Sequence, residues 1–203
     1  MVVLGASHAT RLLSQIKENE VLSSKYEIIG NTKPGATWYS LPIDLELILD
    51  LQPQDVLIVQ FLGNDLLKKH LLITQNPTKF HLTQFEPKSE AYITNVRTKL
   101  KEMLSEVKAR VIIIDDPIRH LSCCPEHAAN CPDLLKFLRT KNKELRRFFS
   151  EYTVLDHRRL FTSKSFRQFD HLATYKSVFV DTVHLHMKYY AEWAESLAKM
   201  LAN

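Results

Sequence analysis

The chain has 203 residues and a formal net charge of +4, with 45% hydrophobic and 25% charged residues. This size and composition indicate one globular domain with its own core, spanning residues 1–203. No apolar run approaches the ~18 residues that a membrane-spanning helix requires. The mild positive excess allows contact with phosphates but does not demand it.

The N-terminal residues enter an apolar strand at once, with no basic segment and no cleavage site of a secretory leader. We therefore expect a domain cut from a longer polypeptide. The chain has three cysteines, Cys123, Cys124 and Cys131, and all of them fall in one loop. An odd, clustered set is not a disulfide framework, and an intracellular, reducing location is the simpler interpretation.

The same loop leaves a zinc site open as the less favoured alternative. Cys123, Cys124, His127 and Cys131 offer ligands of the right type. Adjacent cysteines are nevertheless poor co-ligands for zinc, because paired ligands usually have two to four residues between them. Reduced loop cysteines are the favoured interpretation.

Short apolar runs alternate with helical periodicities along the whole chain. Strands are predicted at residues 1–4, 26–29, 55–61, 109–115 and 152–155, and helices at about 9–16, 42–50, 89–107, 133–149 and 190–201. Residues 68–87 show no clear period and are predicted as a loop or insertion. Strands interleaved with helices imply an α/β fold, in which a parallel sheet is covered on both faces and ligands bind at the carboxyl ends of the strands.

Candidate site residues fall at those strand ends. Ser7 follows the first strand at a strand-to-helix turn, where the helix dipole favours a developing negative charge. Gly35 lies in the loop after the second strand, and Asn64 follows the third, so a backbone N–H and a side-chain amide are available as donors. Asp181 and His184 lie three residues apart, a spacing that shares a face if the segment turns helically.

These four blocks, in this order, resemble the SGNH hydrolases, also called GDSL esterases and lipases. The resemblance spans nearly the whole chain. It implies a three-layer α/β/α sandwich of the flavodoxin-like kind, with a five-stranded parallel sheet of order 2-1-3-4-5 and no metal or organic cofactor. It also implies a serine esterase that acts through an acyl-enzyme on a small acyl or acetyl ester.

The resemblance assigns roles to individual residues. Ser7 matches the nucleophile, His184 its general base, and Asp181 the carboxylate that orients the base. The N–H of Ser7, the N–H of Gly35 and the amide of Asn64 match the oxyanion donors.

Two positions depart from the family pattern. Ala6 replaces the usual acidic residue before the nucleophile, and Leu62 stands where the family has glycine, with Gly63 displaced by one position. We expect the oxyanion donors to converge all the same, because Gly63 can supply backbone freedom one residue later.

Neighbouring residues receive plainer interpretations. His186 is the second candidate for the base, and His8 is expected to point away from the site. Asp65 is expected to cap a helix or brace its loop.

The alternative function is an inactive SGNH scaffold that binds RNA or a protein partner. Some domains of the family have left ester chemistry for RNA binding, and others are carried in polyproteins of LINE-type retrotransposons. One predicted helix is notably basic and could contact nucleic acid, through Lys136, Arg139, Lys143, Arg146 and Arg147. The intact set of Ser7, Asp181 and His184 favours the enzyme, because a pure scaffold has no chemical reason to retain it.

Overall fold

The computed structural model of the chain describes residues 1–60, 62–72, 82–117, 131–161, 180 and 184–202. The strands are β1 (Val2–Gly5), β2 (Ile29–Thr32), β3 (Val56–Gln60), β4 (Leu67–Leu72), β5 (Leu82–Pro87), β6 (Arg110–Ile114) and β7 (Thr153–Leu155). The helices are α1 (Ser7–Glu18), α2 (Glu20–Lys25), α3 (Leu45–Leu49), α4 (Gly63–Leu66), α5 (Glu90–Ser105), α6 (Cys131–Phe148) and α7 (Met187–Ala202).

Five strands form one parallel sheet in the order β2-β1-β3-β6-β7. Counting only the strands of this sheet, the order is 2-1-3-4-5, which confirms the predicted topology. The chain leaves β1 in one direction to form β2 and then crosses back to β3 on the other side of β1. The carboxyl ends of β1 and β3 therefore flank the switch point of the sheet, where open α/β sheets bind their ligands.

Alternate residues of the strands pack into two separate cores, as expected where helices cover both faces. On one face, Val3, Ile58 and Ile112 pack with α1 and α7. On the other, Leu4, Val59 and their neighbours pack with α3, α5 and α6. The predicted three-layer α/β/α sandwich is thereby confirmed.

The prediction of a loop or insertion at residues 68–87 missed a strand at each end of that segment. β4 and β5 pair antiparallel as a second, two-stranded sheet, with Leu67 opposite Pro87 and Leu72 opposite Leu82. Cross-strand hydrogen bonding satisfies backbone groups whatever the side-chain period, so periodicity alone missed it. Pro87 sits at the strand end, where its missing N–H costs no bond inside the ladder.

Two other boundaries differ from prediction for local reasons. The side chain of Asp44 accepts a 3.0 Å hydrogen bond from the N–H of Leu47, and this cap starts α3 at Leu45 rather than at residue 42. The second strand is shifted to Ile29–Thr32, in register with β1. None of the described helices has the length and apolar character needed to cross a bilayer.

Candidate active site

The turn that carries Ser7 is held by close packing between β1, β3 and α1. Ser7 is the first residue of α1, so its N–H belongs to the open, electropositive end of the helix. A side chain at Gly5 would collide with the carbonyl oxygen of Gln60 and with Cβ of Ala9. Glycine at this position therefore allows the strand to turn directly into the helix and present Ser7 at the sheet edge.

Gly35 lies in a β-turn beside the end of β1. The N–H of Ala36 donates to the carbonyl of Lys33 at 3.1 Å, with Pro34 and Gly35 at the two central positions. Gly35 has φ +74°, a left-handed conformation that favours glycine at this position of a type II turn. The N–H of Lys33 donates to the carbonyl of Gly5 at 3.0 Å and fixes the turn against the first strand. The hydrogen bond that closes the turn does not use the N–H of Gly35.

Asn64 lies in α4, directly after β3, and connects this short helix to the turn after β2. Its side-chain Nδ2 donates to the carbonyl of Ala36 at 3.0 Å, next to Gly35. An amide nitrogen has two protons, so this bond orients the group and employs one of them. This bond places the Asn64 amide beside the residue that follows Gly35.

Leu62 is compatible with this arrangement. It has φ −67° and ψ −10°, which any residue adopts, and its side chain is buried in the core. The expectation that Gly63 supplies backbone freedom is wrong, because Gly63 is helical and has no positive φ. Its role is steric, since a side chain there would collide with the carboxylate of Asp116.

His184 lies just before α7 and faces the same cavity as Ser7. It is not helical, and its carbonyl accepts a 2.9 Å hydrogen bond from the N–H of Val180. Asp181, its predicted orienting partner, lies outside the described residues. His186 is not among the described residues that line the cavity, so the ranking of His184 first remains the preferred prediction.

His8 is not among the described residues that line the cavity, as expected, but its contact with the His184 ring was not predicted. Its ring lies with its centroid 5.5 Å from that of His184, and its Nδ1 is 2.6 Å from the hydroxyl of Tyr190. His8 is buried and braces the His184 ring from the core side. The spacing of apolar residues could have indicated that His8 is buried, because it lies four residues before Leu12 on the buried stripe of α1.

The predicted residues Ser7, Gly35, Asn64 and His184 line one cavity of about 480 Å³. Its other described lining residues are Thr10, Arg11, Pro34, Thr37, Leu67, Lys68 and Lys88. The volume lies within the range of small-molecule sites, which is roughly 300–1,000 Å³. The cavity lies at the carboxyl ends of β1, β2 and β3, as the parallel sheet predicts.

Asp65 braces the loop beside the site, which is one of the two roles that the sequence analysis predicts for it. Its buried carboxylate accepts hydrogen bonds from the N–H of Trp38, at 3.1 and 3.2 Å, and from the hydroxyl of Tyr92, at 2.9 Å. Burial is the main cause that raises the pKa of Asp65, to about 6, against the opposing effect of these hydrogen bonds. Burial also raises the pKa of Tyr92 to about 12, and the hydrogen bond to Asp65 and the Asp65 charge add to this effect.

The raised pKa of Asp65 makes the stability of the fold depend on pH. The folded protein binds this proton more tightly than the unfolded chain, whose reference pKa is 3.8. The contribution of Asp65 to the free energy of unfolding therefore falls as pH rises from about 4 to about 6, by up to ~3 kcal/mol.

Asp65→Asn keeps an oxygen acceptor for Trp38 and Tyr92 but removes the charge. We expect this variant to gain stability relative to the wild type at pH 7.5 compared with pH 4, by ~1–3 kcal/mol. Urea unfolding of both proteins at the two pH values measures the change. An identical stability difference at both would contradict the raised pKa.

A second polar cluster lies at the carboxyl ends of β6 and β7. Among the described residues, one group of metal-ligand types lies close enough together to hold a metal ion: Asp115, Asp156 and His157. Both carboxylates are already paired, Asp115 with Arg146 and Asp156 with Arg158, and the His157 Nδ1 lies 2.6 Å from Asp115. This donor set matches an internal ion-pair network better than a metal site.

Nucleic-acid binding by the basic helix and a zinc site at the cysteine loop remain predictions. On α6, Lys136, Arg139, Lys143 and Arg147 are exposed, whereas Arg146 is engaged with the buried Asp115. Arg146 is therefore less available for nucleic-acid binding than the sequence suggested. Cys123, Cys124 and His127 lie outside the described residues, and Cys131 begins α6.

Neither family models nor curated proteins match the sequence. Solved structures do match it in fold. A putative acylhydrolase from Bacteroides fragilis superposes with a TM-score of 0.61 at 15% identity, over 99% of this chain and 85% of that one. A GDSL-like lipase from Bacteroides thetaiotaomicron superposes with a TM-score of 0.56 at 12% identity, over 99% of this chain and 86% of that one.

A third similar structure, from Bacillus subtilis, is much longer. It superposes with a TM-score of 0.54 at 16% identity over 94% of this chain, which spans only 49% of the Bacillus protein. At such identities the similarity establishes architecture. The chain therefore has the fold found in GDSL-like lipases and acylhydrolases.

Proposed function

We propose that the chain is a serine hydrolase of carboxylic esters that works through an acyl-enzyme on small acyl or acetyl esters. The single observation that carries this proposal is the meeting of Ser7, Gly35, Asn64 and His184 at one cavity. They come from four separate segments, and together they supply a nucleophile, a base and oxyanion donors. The fold shared with acylhydrolases and lipases supports the same reaction class.

The reaction begins when the Ser7 oxygen attacks the ester carbonyl carbon while His184 takes the hydroxyl proton. The carbonyl oxygen becomes an oxyanion, which accepts hydrogen bonds from the N–H groups of Ser7 and Gly35 and from the second proton of the Asn64 amide. The tetrahedral intermediate then expels the alcohol, which receives the proton from His184. Water repeats the sequence on the acyl-enzyme and releases the acid and Ser7. Asp181 is proposed to orient His184 throughout.

Asn64→Ala tests the oxyanion assignment. Losing one preorganised donor typically costs ~10²–10³ in kcat, and we expect that loss for p-nitrophenyl acetate with a smaller change in KM. Asn64→Asp has nearly the same shape but places a negative charge beside the oxyanion, so it should cost at least as much.

Asn95→Ala is the matched control, because Asn95 is exposed on α5 and outside the cavity lining. It should hydrolyse the ester at the wild-type rate. Full turnover by Asn64→Ala would remove this residue from the oxyanion site and favour the inactive-scaffold alternative.

A further inference from the structure

The cavity beside Ser7 is distinctly cationic. Three of its lining side chains, Arg11, Lys68 and Lys88, carry a positive charge, and no aspartate or glutamate occurs among the lining residues that the structure describes. A cleft lined by charges of one sign concentrates the electric field and attracts ligands of the opposite sign. The reaction mechanism itself uses none of these three cations.

The cations come from three separate segments and line the same cavity as the reacting groups. Arg11 lies four residues beyond Ser7 on α1, on the same face of the helix and displaced by about 6 Å along its axis. Lys68 belongs to β4, and Lys88 follows β5, so both lie at the base of the hairpin. A ligand bound at Ser7 therefore meets positive charge both along α1 and at the hairpin.

Lys88 is held in place by a neighbouring ring and is partly buried. Its Nζ lies 4.2 Å from the centre of the Tyr92 ring, a cation–π contact that restricts the side chain. Burial lowers the pKa of Lys88, and the nearby Asp65 charge acts in the opposite direction. A cation that has lost part of its water binds an anion more strongly than a fully hydrated one does.

Nearby carboxylates do not remove the excess of positive charge from the cavity lining. The Asp65 carboxylate is directed at the N–H of Trp38 and the hydroxyl of Tyr92, and it is not part of the lining. Glu86 lies opposite Lys68 in the hairpin register and outside the described cavity lining. Among the described residues, the surface that faces the cavity remains positive.

We propose that this site selects esters that carry a carboxylate or phosphate group a few bonds from the scissile carbonyl, a specificity that rests on the proposed esterase function. The anionic group binds near Lys88 and Lys68, with Arg11 adding positive charge along α1, while Ser7 attacks the ester carbonyl. The catalytic residues alone do not determine this substrate class.

Two matched ester pairs test the proposal and show which side of the ester carries the charge. Mono-p-nitrophenyl adipate and p-nitrophenyl hexanoate share a leaving group and a six-carbon acyl chain, but only the adipate carries a charge. 4-Acetoxybenzoate and 4-acetoxybenzamide share the acetyl group and differ in the charge of the alcohol. We expect kcat/KM to be about tenfold higher for the anionic member of at least one pair, corresponding to one or two ion pairs of modest strength.

The preference should depend on the lysines and on salt. Lys88→Gln and Lys68→Gln should each lower the ratio of anionic to neutral kcat/KM by about threefold, and ionic strength of ~1 M should reduce it in the wild type. Lys17→Gln is the matched control, because Lys17 is exposed on α1 and outside the lining. Circular dichroism verifies that each variant is folded.

The outcomes separate the two proposals. Hydrolysis of both pairs without preference for either anion overturns the anionic-ester inference and leaves the esterase proposal standing. A preference that survives both lysine substitutions and high salt also overturns it. Failure to hydrolyse any of the four esters overturns the esterase function and the inference with it.

Discussion

Ser7→Ala is expected to reduce hydrolysis of p-nitrophenyl acetate by on the order of 10³-fold or more, while leaving the fold intact. The loss follows from chemistry, because no acyl-enzyme forms without the hydroxyl oxygen. The fold should survive because Ser7 is the first residue of α1 and its side chain does not cap the helix. Alanine is also a better helix former than serine.

The measurement pairs steady-state kinetics with thermal unfolding. Ser14→Ala is the matched control, because Ser14 is an exposed residue of the same helix. That control should keep wild-type activity, and both variants should unfold close to the wild-type temperature. A Ser7→Ala protein that retains most of its turnover would remove Ser7 from the role of nucleophile.

His184→Ala is expected to cost about as much as Ser7→Ala, because nucleophile and base act as one unit. The double variant should then be little worse than either single variant. This non-additivity distinguishes a shared catalytic step from two independent effects on binding. Kinetics of the two single variants and the double variant on one ester provide the test.

His186 provides a close control for the histidine test. His186→Ala removes a histidine two residues away that does not line the cavity among the described residues. We expect it to keep most of the activity. The reverse result, a large loss for His186→Ala with little loss for His184→Ala, would exchange the two assignments.

The central sheet was predictable because its signals are local. Residues 56–59 and 111–114 are short apolar runs with both faces buried, which is the pattern of strands covered by helices on both sides. The strand order was predicted from the family resemblance. The β4–β5 hairpin escaped prediction because its pairing links two segments without a clear hydrophobic period.

The site was partly predictable for the same reason. Ser7, Gly35 and Asn64 follow three predicted strands, so the rule that ligands bind at the carboxyl ends of parallel strands placed them at one edge, and the family resemblance assigned their roles. Tertiary contacts decided the rest. The raised pKa of Asp65 comes from burial near Tyr92, 27 residues away. The cationic lining joins α1 to the base of a hairpin that the sequence did not reveal.

Labelling with a fluorophosphonate probe tests the central claim most directly. An activated serine oxygen attacks the phosphorus and expels fluoride, so the probe marks the nucleophile covalently. Tryptic residues 1–11 contain Ser7 as their one serine, which makes the site readable by mass spectrometry. We predict that the probe mass appears on this peptide at Ser7, is absent in Ser7→Ala and forms far more slowly in His184→Ala. Stoichiometric labelling of a different residue, or undiminished labelling of Ser7→Ala, would contradict the account.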